Sequence, residues 1–155
     1  MPKKPSAADA QLILQLYDLR REAELRKARS WWVVNFWPEN AEDFMKIANA
    51  LGTQENNWLR QVGGYWGLTA SLVLNGALNE TLFYDPSFSG EMFFLFAKVQ
   101  PFLKELREKA QNPGMFASIE KLVMRSKATR DRFQQVSKAV AARRKAIQEA
   151  AKKTS

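Results

Sequence analysis

From Asn112-Pro113-Gly114 to about Ala151 the chain runs for roughly 38 residues with nothing that breaks a helix. Asn112 reads as the cap of that helix, and Pro113 falls in its first turn, where proline is tolerated. A continuous helix of this length is about 57 Å long, so it outreaches any compact domain that 155 residues can build. Numbered as heptads, its a and d positions are Ile119, Leu122, Ser126, Thr129, Phe133, Val136, Val140, Arg143, Ile147 and Ala150. The seam is apolar at both ends and polar in places, and its distal part needs a partner. One candidate is the first helix of the same chain, packed antiparallel to it as a stalk; self-association is the other.

The rest of the chain also reads as helix. Ser6 and Asp9 resemble a capping box, and Leu12, Leu16, Leu19 and Ala23 follow at helical spacing, which predicts an amphipathic helix of roughly 23 residues. That helix can continue through Trp31, Trp32 and Phe36 until Pro38 breaks it near Trp37. A second helix starts around Pro38 to Asn40 and stops at Gly52; a third, capped by Thr53, ends at Asn75-Gly76. A short helix from Asn79 to Tyr84 comes next, then an Asp85-Pro86-Ser87 turn and a helix beginning at Ser89-Gly90-Glu91 that Pro101 kinks or restarts. No alternating strand pattern and no repeat of 20 to 50 residues appears.

Composition removes whole classes of chemistry. With no cysteine and no histidine the chain has no disulfide, thiolate nucleophile, Cys/His zinc site or Ser-His-Asp triad. No cofactor, metal or catalytic residue is expected, and no small-molecule substrate. The N-terminal region lacks the apolar run of a secretory signal, so the expected location is the cytoplasm. A charge-free stretch from Gln61 to Asn79 has the length of a membrane span, but its glycines and its Thr69, Ser71 and Asn75 fit a buried helix better.

The net charge of +8 is unevenly placed. Residues 1 to 30 carry +3, residues 31 to 124 carry −3, and residues 125 to 155 carry +8. The C-terminal cations are Arg125, Lys127, Arg130, Arg132, Lys138, Arg143, Arg144, Lys145, Lys152 and Lys153. They surround the heptad seam instead of forming one stripe, which suits a solvated coiled-coil surface first. Binding to nucleic acid, ribosomal RNA included, or to an acidic membrane surface are the alternatives.

All five tryptophans, Trp31, Trp32, Trp37, Trp58 and Trp66, lie in one third of the chain and suggest an aromatic knot in the core. Trp31 and Trp32 point about 100° apart on a helix, so one of the pair is a candidate for an interface, with Trp37 beside them. Gly63, Gly64 and Gly67 lack the Lys-Ser/Thr of a phosphate loop; Gly63 and Gly67 instead share one helix face and allow another helix to approach closely. The carboxylate pairs Glu105/Glu108 and Glu39/Glu42 read as solvated faces and caps. Asn75, Asn79 and Glu80 read as helix-end caps, with a pocket lining as the alternative.

Three segments carry a resemblance over about residues 44 to 124. They are Asn57-Trp58-Leu59, then Asn75-Gly76-Ala77-Leu78-Asn79-Glu80-Thr81-Leu82-Phe83-Tyr84-Asp85, then Pro101-Phe102-Leu103-Lys104-Glu105-Leu106-Arg107. Together they resemble the bacterial helical family catalogued as domain of unknown function number 4760. The resemblance implies an all-helical fold and carries over no activity, ligand or catalytic residue.

The expectation is therefore an all-α single domain, a helical bundle whose long N- and C-terminal helices pack antiparallel and extend from the body. The body covers about residues 31 to 124 and the basic arm about residues 125 to 151. The expected function is a non-enzymatic interaction or scaffold protein that forms a homo-oligomer or binds a protein partner. Its candidate contact residues are Trp31, Trp32, Trp37, Arg125, Arg130, Arg132, Lys138, Arg143, Arg144 and Lys145. A nucleic-acid- or ribosome-associated accessory protein and a peripheral membrane-surface protein are the alternatives.

Overall fold

A computed structural model describes residues 3–155, and all regular structure among them is helical. The helices are α1 (Ala7–Leu19), α2 (Ala23–Val34), α3 (Ala41–Ala48), α4 (Gln54–Leu74), α5 (Glu80–Phe83), α6 (Pro86–Val99), α7 (Leu103–Lys109), α8 (Ala117–Val123) and α9 (Lys127–Thr154). A 3₁₀ turn over Gln100–Phe102 joins α6 to α7 at Pro101.

Most helix starts follow from local side chains. Ser6 and Asp9 close a capping box on α1, and Asn40, Thr53 and Asn79 each accept a backbone N–H at the start of α3, α4 and α5. Asp85 caps α6 with Pro86 in its first turn, so that helix begins three residues before the expected Ser89. Gly76, at φ +74°, makes the left-handed turn after α4 that a side chain would strain.

Helix α6 is the axis of the core. It is covered around its circumference, and only Pro86 and Ser87 at its start are exposed. Its flanks pack on α9 and α8, while α4 packs on α2, α3 and α8, and α7 packs on α3. The buried residues form one cluster from Leu16 to Val140, which places α1, α2 and the first half of α9 in the same body as residues 31 to 124.

Three expectations are corrected. The first helix breaks at Arg20, where the side chain turns inward, and the Glu22 carboxylate starts α2 by accepting from the N–H groups of Glu24 and Leu25. The long last helix is two: α8 ends at Val123, and Ser126 with Thr129 forms a second capping box that starts α9, a helix of 28 residues. Asn112-Pro113-Gly114 is a loop, and α8 begins only after Phe116, which adopts a left-handed φ of +60°. The terminal helices do not pair as a stalk, because α9 lies along α6 and α1 packs on α5.

Candidate functional site

Four of the cations share one task. A helix leaves its last carbonyls without internal partners, and a donor brought in from elsewhere satisfies them and suits the negative helix end. Here Lys98 donates to the Trp32 carbonyl at the end of α2, and Arg144 to the Lys98 carbonyl at the end of α6 (2.8 Å). Arg132 reaches the Tyr84 carbonyl after α5 (2.9 Å), and Arg130 the Met124 carbonyl after α8 (2.9 Å). Neutral donors do the same: the Tyr65 hydroxyl donates to Leu16 (2.6 Å), that of Tyr84 to Leu122 (2.7 Å), and the Asn56 amide to Ile47 and Ala48. Burial pushes the Tyr84 and Tyr65 hydroxyls up from their ordinary titration range, so both remain donors at neutral pH.

Lys98 is the extreme case. Its side chain is 0% exposed, with the ammonium 3.9 Å from the centre of the Trp37 ring and 5.2 Å from that of Phe94. The rings and the carbonyl favour the cation, but burial and then the nearby Arg144 charge outweigh them and push its pKa down to about 7.

These contacts sort the candidate residues. Arg130, Arg132 and Arg144 cap helix ends, Arg125 pairs with Glu80 at 3.1 Å and Lys127 with Asp131 at 2.5 Å. Lys138, Arg143 and Lys145 are exposed and have no carboxylate within 4.0 Å among the described residues; Lys152 and Lys153 share that state. Of the tryptophans, Trp32 is core at 1% exposure and cannot face a partner. Trp31 is half-buried and stacks on Phe36, and the half-buried Trp37 is held between Phe94 and Lys98. Only Trp31, Trp32 and Trp58 form a knot, where α2 packs on α4; Trp37 packs on Phe94, and Trp66 on Tyr65 and Phe88, apart from it.

The surface feature with no internal purpose lies on α4. Gly63 and Gly67 share a helix face with Gly64, as the spacing implies, yet no helix of the chain occupies it: a methyl group on any of the three would meet no neighbouring atom within 4 Å. The glycines floor a cleft of about 360 Å³. Phe44, Leu59, Met115, Phe116 and Ile119 wall it, with Arg60 and Ser118 as its polar lining. The left-handed Phe116 sets its ring edge-on to Phe44, with centroids 6.0 Å apart, and so builds one wall. Beside the glycines on α4 stands Leu68, 61% exposed.

No group of three or more His, Cys, Asp or Glu side chains suited to a metal occurs among the described residues, and none of the described helices is long and apolar enough to cross a membrane. No curated protein and no solved structure matches the chain. The family described as Domain of unknown function (DUF4760) matches residues 5–126, from just before the Ser6 cap of α1 to the Ser126 cap of α9. The match takes in α1 and α2, which the resemblance over residues 44 to 124 had left out. With well over half of its length covered, this all-helical chain belongs to the DUF4760 family.

Proposed function

We propose that this protein is a non-enzymatic helical interaction protein of the cytoplasm that self-associates, two copies crossing at the glycine face of α4. The observation that carries the reading is the vacant space above Gly63, Gly64 and Gly67. Each glycine inside a helix costs about 1 kcal/mol against alanine, and no close approach within the chain compensates for it. Small residues at a four-residue spacing let two helix backbones come close.

Beside the crossing the cleft, about 360 Å³, has room for side chains. Leu68 is such a side chain, one turn from Gly64 on the same helix. A two-fold axis through α4 lets Leu68 of each copy enter the glycine-floored cleft of the other, so one patch supplies both knob and hole.

Light scattering at tens of micromolar tests the reading, with a mass of twice 17.8 kDa expected. The triple variant Gly63→Ala/Gly64→Ala/Gly67→Ala separates association from folding. Nothing obstructs the added methyls, so the folded chain gains about 2–3 kcal/mol and its Tm rises by roughly 4–12 °C. The helices can no longer cross as closely, and the dimer weakens at least about tenfold. A wild-type protein that stays monomeric rejects the proposal.

A further inference from the structure

The ten basic residues of the C-terminal region divide along the chain into those that serve the fold and those that do not. From Arg125 to Arg132 every cation has an internal acceptor, and so does Arg144. Lys138, Arg143, Lys145, Lys152 and Lys153 have none among the described residues. Lys138, Lys145 and Lys152 are seven residues apart, so they fall in one column that drifts only about 20° per heptad. The column spans about 21 Å at 1.5 Å per residue, and Glu149 is the one carboxylate between Lys138 and Ser155. It stands opposite the face that carries Phe133, Val140 and Ile147. Every residue from Glu149 onward is exposed.

We propose that this outer face of α9 binds the phosphate backbone of a nucleic-acid duplex without reading its sequence. A polyanion with closely spaced charges matches a straight column of unpaired, flexible ammonium groups, and releasing its condensed counterions drives association. Two observations choose the duplex over other anions. The apolar face of α9 is closed against α6 by Phe133 and Val140, which leaves no amphipathic face to enter a lipid surface. Phe133, the one aromatic residue of α9, is buried, so the helix offers no ring on which the bases of a single strand could stack. This surface is independent of the α4 face, and neither proposal depends on the other.

The experiment is fluorescence anisotropy of a labelled DNA duplex with the full-length protein, titrated between about 50 and 200 mM salt. Three phosphate contacts give a slope of about −2.7 in log K against log salt, which is roughly a 40-fold loss of affinity over that range. Lys138→Gln/Lys145→Gln/Lys152→Gln removes about that slope, while Arg130→Gln, whose guanidinium is engaged by the Met124 carbonyl, leaves it near the wild-type value. All four substitutions are exposed, so helical circular dichroism and Tm should stay near those of the wild type. Absence of duplex binding at the lower salt overturns the proposal. A triple variant that binds like the wild type overturns it too, as does tighter binding to phosphatidylserine-containing vesicles than to the duplex.

Discussion

Trp66→Ala lowers the unfolding free energy by about 4 kcal/mol and Tm by roughly 8–16 °C in thermal or urea unfolding. Trp66 is 0% exposed and stands where α1, α4 and α6 meet, its ring edge-on to Tyr65 and Phe88 and 4.7 Å below the Arg20 guanidinium. Truncation opens a large cavity and also removes the indole N–H that donates to Glu91 at 3.0 Å. That carboxylate is already committed to Arg29 at 2.8 Å, so it keeps a charged partner and only one of its oxygens is orphaned. Trp66→Phe separates the two effects, because most of the ring volume stays and only the donor goes. Its expected loss is about 1–2 kcal/mol. Equal losses for the two variants would contradict this account of the core.

Between pH 6 and pH 9 the wild-type protein gains about 2–3 kcal/mol of stability, and Lys98→Met removes that gain. Lys98 titrates near 7 in the folded chain because burial opposes the cation, whereas an unfolded lysine titrates near about 10.4. Across the interval the unfolded chain binds more protons, so stability rises with pH and is lost again as pH falls through about 7. The window is clean. The chain has no histidine, and the lowered Asp9, Glu22, Glu24 and Asp85 carboxyls act only at acidic pH. The neutral amine still donates to the Trp32 carbonyl, so the end of α2 remains capped throughout. Urea unfolding at the two pH values measures the difference, and a wild-type stability that is flat from pH 6 to 9 would rule out a desolvated Lys98.

Local chemistry is what the sequence makes legible. Ser6, Asn40, Thr53 and Asn79 announce their helix starts because a cap acts over three residues, and Pro101 announces its interruption because the missing N–H is a property of one residue. The break at Ser126 is harder to see. Its capping box carries Thr129 where Glu or Gln is usual, and Leu122, Phe133 and Val136 keep a helical spacing across it. The turn at Arg20 is hidden for a different reason: a long cation usually points to solvent, and what draws it inside, the Tyr65 hydroxyl, the Trp66 ring and the Phe88 carbonyl, lies 45 to 68 positions away.

The same distance problem governs the candidate site. Ten cations over 31 residues read as one basic arm, but their acceptors at Glu80, Tyr84 and Lys98 lie 45 to 48 positions away in sequence. Three of the ten are therefore held by distant parts of the body, and no count of charges reveals which three. The glycines are the converse. Their spacing marks a face that a close approach would suit, and only the packing of α4 reveals that no helix of this chain takes it.

Self-association at that face is the central claim, and the absence of cysteine makes a direct measurement simple. Gly67→Cys places a single thiol at the proposed crossing, and Gln135→Cys places one on the exposed side of α9. A disulfide needs Cα atoms within about 7 Å, so mild oxidation of the native protein joins only residues that already meet across the two-fold axis. The expected result is rapid, near-complete conversion of Gly67→Cys to a covalent dimer while Gln135→Cys stays monomeric. A Gly67→Cys protein that cross-links no faster than Gln135→Cys would contradict the proposed dimer.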